Sequence, residues 1–439
     1  MNRYESYKPS NIDWVGEIPS HWETIQPKYK LNRVTRPIDD EDEVITCFRD
    51  GVVTLRKNRR EDGFTNSIKE HGYQQIHPGD LVVHEMDGFA GAIGISDSKG
   101  KSTPVYTVIE PDHRTDVRYI SYLLREMSQT GKIESLARSI RERTTDFRWN
   151  MWSVVHFPFP NVEEQKLISR YLDKKTSQID SLVEKIQKKI ELVKEQRTSL
   201  INHFVTKGLN SNVEMKDSGV EWIGEIPKHW EITKIKYLVG KDGFRSGPFG
   251  STLITSQLSS IGDWIVYSPE NLRSKNIDNQ LYVPNERKDE LSKYLVKEGD
   301  ILLPIVGSLN VSKVIDEKDP IGIINQRLCR LSLDPDKVNV QMISFMFKYS
   351  NLIQTQIELE KKGSILDHIT KEIIFNFTLP LSPIPEERDK LYNKLTDVYD
   401  KLELLISKHQ TKILHLKEYR QSLISSVVTG KVRVTEDMI

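Results

Sequence analysis

The chain has 439 residues, 37% hydrophobic and 29% charged, which is too long for one ordinary core and points to two or more domains. Its 63 basic and 63 acidic side chains cancel, so a surface that is basic throughout is excluded and any polyanion must be met by local clusters. Cys47 and Cys329 stand far apart without companions at metal-ligand spacing, excluding a disulfide framework or zinc module. No run approaches the roughly 18 apolar residues of a membrane span, so a cytoplasmic protein is expected.

The first element is Trp14-Val-Gly-Glu-Ile-Pro-Ser-His-Trp22. Residues 25–155 then read as a mixed, β-rich region. Its apolar runs Leu81–His84, Gly91–Ile95 and Val105–Ile109 are bounded by turn formers, and Tyr119–Met127 has helical spacing. This region carries the basic run Arg56-Lys57-Asn58-Arg59-Arg60, and later Arg138, Arg141, Arg143 and Arg148.

Residues 163–205 contain neither Gly nor Pro. Ile168, Leu172, Ile179, Val183, Ile186, Ile190, Val193, Leu200 and Phe204 recur at alternating spacings of four and three, a heptad seam. About 40 residues at about 1.5 Å each make a rod of roughly 60 Å.

The order then begins again. Trp222-Ile-Gly-Glu-Ile-Pro-Lys-His-Trp230 matches the first motif at seven of nine positions. Residues 232–380 form a second mixed region, with Asp300–Pro304 and Gly322–Ile324 as strands and Met342–Tyr349 as a helix. Its polar candidates are Arg245, Arg273, Lys275, Asn276, Arg287, Lys288, Gln326 and Arg327. A second long helix carries the seam Leu391, Leu395, Leu402, Ile406, Ile413, Leu416, Leu423 and Val427.

Residues 160–206 align on 383–429 without a gap, and Pro78-Gly79-Asp80-Leu81 is echoed by Glu298-Gly299-Asp300-Ile301. The chain is a duplication. Polar residues interrupt both seams: Thr176 and His409, which can fix register, and the equivalent Arg197 and Arg420, which are expected to snorkel outward. Two seams in one chain bury best against each other, with either orientation open on spacing alone.

Arg and Lys suit phosphates and guanine edges, and Asn and Gln suit adenine edges. The candidate DNA contacts are therefore Arg56, Lys57, Arg59, Arg60, Arg141 and Arg143 in the first region, and Arg245, Arg273, Lys275, Asn276 and Arg327 in the second, with 56–60 foremost. Motifs of catalysis are absent. There is no Gly-x-x-x-x-Gly-Lys-[Ser/Thr] phosphate loop, no Gly-x-Gly-x-x-Gly turn, no [Asn/Asp]-Pro-Pro-aromatic tetrapeptide and no His-Glu-x-x-His helix. Glu164-Gln-Lys166 with Asp112 is a faint nuclease-like pattern, but Glu at a helix start is expected there simply as a solvated, dipole-favoured residue. The chain reads as a binder, with no catalytic residues.

The Trp-x-Gly-x-Ile-Pro-x-x-Trp entry, the Pro-Gly-Asp-Leu strand start, the helix start Pro160…Glu164-Gln165…Ile168, and the helix ends Arg197-x-Ser-Leu-Ile and Arg420-x-Ser-Leu-Ile…Val428-Thr-Gly-Lys431 together resemble the specificity subunits of type I restriction-modification systems. The resemblance covers essentially the whole chain. It departs where Arg388 stands in place of the glutamine at 165, and where Lys207-Gly208 reverses Gly430-Lys431.

The resemblance implies an α+β chain with an internal pseudo-two-fold repeat: two tandem mixed α/β target-recognition domains joined by two long helices in an antiparallel coiled coil. The expected boundaries are 1–160 and 208–383 for the recognition domains, 161–207 and 384–431 for the helices, and 432–439 for a tail. Each domain would read half of a bipartite, asymmetric site on double-stranded DNA, with the helices as a ruler over an unread spacer. Partners would be two methyltransferase subunits and motor-nuclease subunits, with no membrane. S-adenosylmethionine, ATP and Mg²⁺ would belong to those partners and no cofactor to this chain. Rival readings are the specificity subunit of a type IIB-like system and a coiled-coil adaptor that binds protein alone.

Overall fold

The computed structural model describes residues 2–59, 71–136, 140–141, 144–274, 280–306, 310–361 and 368–439. They form two compact units, Met1–Ile186 with Gln410–Ile439, and Gln187–His409. The units are not successive stretches of chain, because each takes part of both long helices.

Four helices frame the two units: α1 (Val117–Gln129), α2 (Val162–Lys207), α3 (Val340–Tyr349) and α4 (Pro385–Val428). Each start has a chemical cause. Asp116 accepts from Arg118 N at 2.8 Å, Asn161 from Glu164 N at 2.9 Å, and Asn339 from Met342 N at 2.8 Å, each filling an orphan donor of a first turn. Pro385 opens α4, where its missing N–H costs nothing.

The first unit is built on a four-stranded antiparallel sheet of β1 (Asn32–Val34), β2 (Leu81–His84), β3 (Ile93–Ile95) and β4 (Tyr106–Glu110), in the order β1-β4-β2-β3. The second unit repeats that topology with β5 (Val239–Ser246), β6 (Asp300–Pro304), β7 (Lys313–Val314) and β8 (Leu328–Leu333), in the order β5-β8-β6-β7. Outside these sheets the units differ. The first adds antiparallel pairs 45–47 with 53–55 and 74–76 with 100–102, and the second adds a parallel pair, 265–267 with 322–324.

The Gly-Asp echo is a shared turn. Asp80 Oδ2 accepts from His77 N at 2.8 Å, and Asp300 Oδ2 from Lys297 N at 2.7 Å. Each buried carboxylate then has a further partner: Arg36 for Asp80 at 2.6 Å, and Ser332 Oγ for Asp300 at 2.6 Å with Arg330 at 3.6 Å. A buried charge must be paired in this way to be tolerated.

Each unit has one main core that joins sheet, short helix and long helices. In the first, Trp22, Leu81, Ile109, Tyr119 and Trp152 pack with Ile168 and Leu172 from the start of α2 and Leu423 and Val427 from the end of α4. In the second, Trp230, Ile301, Leu331 and Met346 pack with Ile201 and Val205 from the end of α2 and Leu391 and Leu395 from the start of α4. Start meets end in each unit, so the helices pair antiparallel.

The heptad seam is uneven. Ile168, Leu172, Ile179, Ile186, Ile190 and Val193 are buried on α2, and Leu395, Ile406 and Leu423 on α4, while Val183, Leu402, Ile413 and Leu416 are half-buried. Near the end of α2 the expected phase is corrected: Leu200 and Phe204 are only half-buried, and Ile201 and Val205 are the core residues. There α2 packs on the domain core as well as on α4, so the deepest position moves one residue round the helix. Thr176 satisfies its hydroxyl on its own helix, donating to Leu172 O at 2.8 Å.

Arg197 and Arg420 do more than snorkel. In the first unit Arg420 joins α4 to α2 through Asp180, at 3.0 and 3.2 Å. In the second unit Arg197 joins α2 to α4 through Glu403, and its guanidinium lies 5.4 Å above the Tyr399 ring. The two ion pairs occupy equivalent positions of the repeat.

Candidate nucleic-acid interface

The acidic residue at the start of α2 is the first to be reassigned. Glu164 is not solvated: its carboxylate accepts from Tyr4 Oη at 2.6 Å and Trp22 Nε1 at 3.1 Å, and meets His21 Nε2 at 2.9 Å. In the second unit Glu387 accepts from Trp230 Nε1 at 3.2 Å and from Ser382 Oγ, and meets His229 Nε2 at 2.9 Å. The His-Trp ending of each sequence motif is therefore a clasp on the first turn of a long helix. These carboxylates hold structure together, and the nuclease-like reading has no geometry to support it.

Each indole also meets a glycine. A Cβ built on Gly430, which has φ +74°, would lie 2.4 Å from Pro19 Cδ and 3.2 Å from Trp22 Cζ3. One built on Gly208, also at φ +74°, would lie 3.1 Å from Trp230 Cζ2. Glycine is required at both places by backbone conformation and by close approach.

In the first recognition domain the described part of the 56–60 run is a short turn, Arg56–Asn58, following the strand 53–55. Arg56 Nε donates to Thr46 Oγ1 at 3.2 Å, and Lys57 pairs with Glu43. Arg59 pairs with Asp50, with one contact at 2.8 Å, and lies 4.5 Å over the Phe48 ring. Asp50 raises the Arg59 pKa, and Arg59 in turn holds Asp50 below the usual carboxylate range. Lys57 and Arg59 are thus exposed but already countered by carboxylates, while Arg56 is half-buried. Arg141 is placed by its backbone opposite Thr144 in a two-stranded hairpin. Arg60, Arg138 and Arg143 lie outside the described residues, as do Lys275 and Asn276 of the second domain.

In the second domain the structure sorts the candidates into two kinds. Arg287 is committed locally, donating to Thr252 O at 2.6 Å and Gln257 Oε1 at 2.9 Å, and Lys288 pairs with Asp263 at 2.9 Å. Arg245, Arg273 and Arg327 are exposed. A recess of about 280 Å³ in this domain is lined on its polar side by Ser268, Glu270, Asn271, Gln280, Asn325 and Gln326. Glu270 is held below the usual carboxylate range first by Ser268 Oγ, at 2.5 Å, with help from the charges of Arg327 and Arg273. Inside the recess Asn271 Nδ2 donates to Gln280 Oε1 at 2.7 Å, so those amides are occupied with each other.

Sequence reasoning missed Arg125, which sits on the apolar-patterned α1. Its guanidinium donates to Asp50 O at 2.5 Å and lines a groove of about 810 Å³ in the first unit with Arg118, Tyr122, Lys417, Arg420 and Gln421. Burial, reinforced by Arg420, pushes its pKa down. Its only signal was a basic residue inside a buried helix pattern. Cys47 and Cys329 are both buried free thiols, pushed up by that burial. Among the described residues no group of three or more His, Cys, Asp or Glu could hold a metal, and no helix is long and apolar enough to cross a membrane.

Two copies of one sheet-and-helix module, each clasped to the ends of a helix pair and each edged with cations, define a duplicated recognition scaffold. No protein-family model matches the chain. It is 23% identical over 455 residues to a Methanocaldococcus jannaschii protein assigned the role of MjaX type I restriction enzyme specificity subunit, covering 98% of this chain and 97% of that one. It is 19% identical to the type I restriction enzyme EcoKI specificity subunit of Escherichia coli, covering 95% and 90%. The fold matches a chain from a structural study of complex assembly and conformational transition of the type I R-M system, with TM-score 0.69, 12% identity and coverage of 94% and 99%. It also matches the HsdS subunit from Thermoanaerobacter tengcongensis, with TM-score 0.54, 13% identity and coverage of 94% and 98%. The chain is similar, over nearly the whole of its own length and of theirs, to type I restriction enzyme specificity subunits.

Proposed function

We propose that the chain is the non-catalytic DNA reader of a type I restriction-modification complex, each of its two recognition domains taking one half of a bipartite site. The observation that carries this reading is the repeat itself. The same sheet topology and the same Trp–Glu clasp recur in the two units, while the exposed cations around them differ. A scaffold kept twice with unlike reading surfaces suits a target whose halves are unlike. DNA, two methyltransferase subunits and motor-nuclease subunits are the partners this reading requires. The chemistry, with S-adenosylmethionine, ATP and Mg²⁺, belongs to those partners.

Within the reading, Arg59 and Lys57 would exchange their carboxylate partners for backbone phosphates, while Arg141, Arg245, Arg273 and Arg327 would supply further contacts. The test is to map methylated bases across the host genome with and without the gene for this chain. A bipartite methylated motif that disappears on deletion is the expected result. A methylation pattern unchanged by deletion would overturn the reading.

A further inference from the structure

The second recognition domain exposes an aromatic ring beside two closely packed backbone segments. Phe249 follows the buried Pro248 in the loop leaving β5, yet its side chain is 64% exposed. The loop is not loose. Gly247 N donates to Leu328 O at 2.9 Å, and a Cβ on Gly247 would stand 1.8 Å from Asn325 O, so only glycine lets residues 247–250 lie this close to 325–327.

That neighbouring segment is held just as firmly. Arg327 N donates to Asn325 Oδ1 at 2.9 Å, and Arg327 O accepts from Ile305 N at 2.9 Å. Its side chains nevertheless face outward: Gln326 and Arg327 are exposed, as is Arg245 in the strand entering the loop. Their neighbour Arg330 shows the contrast, since it is buried and joined to Asp300 and Leu295 O. A ring, an amide and two guanidinia are thus displayed on hydrogen-bonded, closely packed backbone, with none of them spent on an ion-pair contact among the described residues.

We propose that Phe249, Gln326, Arg327 and Arg245 form the base-reading edge of the second recognition domain, with Phe249 making the apolar contact and the others the polar ones. The inference rests on the reading of the chain as a duplex-DNA binder. The chemistry matches base edges: guanidinium to guanine O6 and N7, amide to adenine N6 and N7, and an aromatic ring to a thymine methyl or an opened base step.

The experiment replaces the chromosomal gene with Phe249→Ala, Phe249→Leu, Gln326→Ala or Arg327→Ala and maps methylated motifs genome-wide. The expected result is at least 10-fold relaxed discrimination at one or two positions of one half of the motif, with the other half unchanged. If Phe249→Ala abolishes methylation altogether, the milder Phe249→Leu and Gln326→Ala decide. Motifs identical to wild type in all surviving variants overturn the proposal, as does weaker co-purification of the methyltransferase subunits with methylation reduced equally at every position of an unchanged motif, which would make this edge a protein contact. The deletion strain separates the two levels: if the motif does not depend on this chain at all, the DNA-reading function fails rather than this assignment of residues.

Discussion

Trp22 Nε1 donates to Glu164 at 3.1 Å, and 208 residues later Trp230 Nε1 donates to Glu387 at 3.2 Å. Each indole thereby ties the entry of a recognition domain to the first turn of the helix that leaves it. Both tryptophans are fully buried, so the carboxylate is the group that makes burial of the indole N–H tolerable.

Glu164→Ala should lower stability by about 1–3 kcal/mol, since it strands the Trp22 N–H and the Tyr4 hydroxyl together. Thermal denaturation of the purified chain reads this, and Glu387→Ala should behave in the same way. A transition unchanged from wild type would show that the clasp contributes nothing.

Gly430→Ala combines a left-handed backbone with a Cβ driven into Pro19, and should cost more than the roughly 1–2 kcal/mol of the backbone effect alone. Gly219→Ala is the matched control, with φ +72° but nothing within 4 Å of the added atom. Denaturant titration of the two variants side by side should rank Gly430→Ala as clearly the worse.

The Arg420–Asp180 pair is partly open to water, with side chains 29% and 58% exposed. A double-mutant cycle should therefore return a coupling of only about 0.5–1 kcal/mol, falling further in high salt. A coupling of several kcal/mol would mean that the pair is more desolvated than its exposure shows.

Arg59 offers a test of DNA contact that does not depend on knowing the target. Arg59→Glu should weaken binding and lower the slope of log affinity against log salt by about 0.9 for the lost phosphate contact. Asp50→Asn should do the opposite for affinity, because it frees the guanidinium from its competitor. Salt titrations with random-sequence duplex would expose either failure.

Burial raises the pKa of Glu126, which accepts from Gln421 Nε2 at 2.5 Å. A carboxyl whose folded pKa is raised binds more protons in the folded state. Its contribution is therefore fully present below the ordinary glutamate range and is lost as pH rises through the folded value. Glu126→Gln should flatten that decline, measured as stability against pH.

Much of this was legible in the residues. The duplication, the long helices without Gly or Pro and the Gly-Asp turn were visible because each leaves a local pattern, and identical local patterns demand identical local geometry. The clasp was not visible: Glu164 and Trp22 are 142 residues apart, and a first-turn glutamate looks the same whether water or an indole receives it. For the same reason the basic run at 56–59 looked free, since its partners Glu43 and Asp50 belong to other segments. The phase error at Leu200 arose because spacing reports the seam alone, and Ile201 answers to the domain core as well.

A heptad seam taken alone has a translational ambiguity: sliding one helix past the other by seven residues, about 10 Å, presents the same apolar stripe. Gly430 beneath Trp22 and Gly208 beneath Trp230 remove it, because any such slip would bring a side chain where only a hydrogen fits. In each unit the glycine acts as a stop, and the seam beside it is spared from having to encode its own alignment.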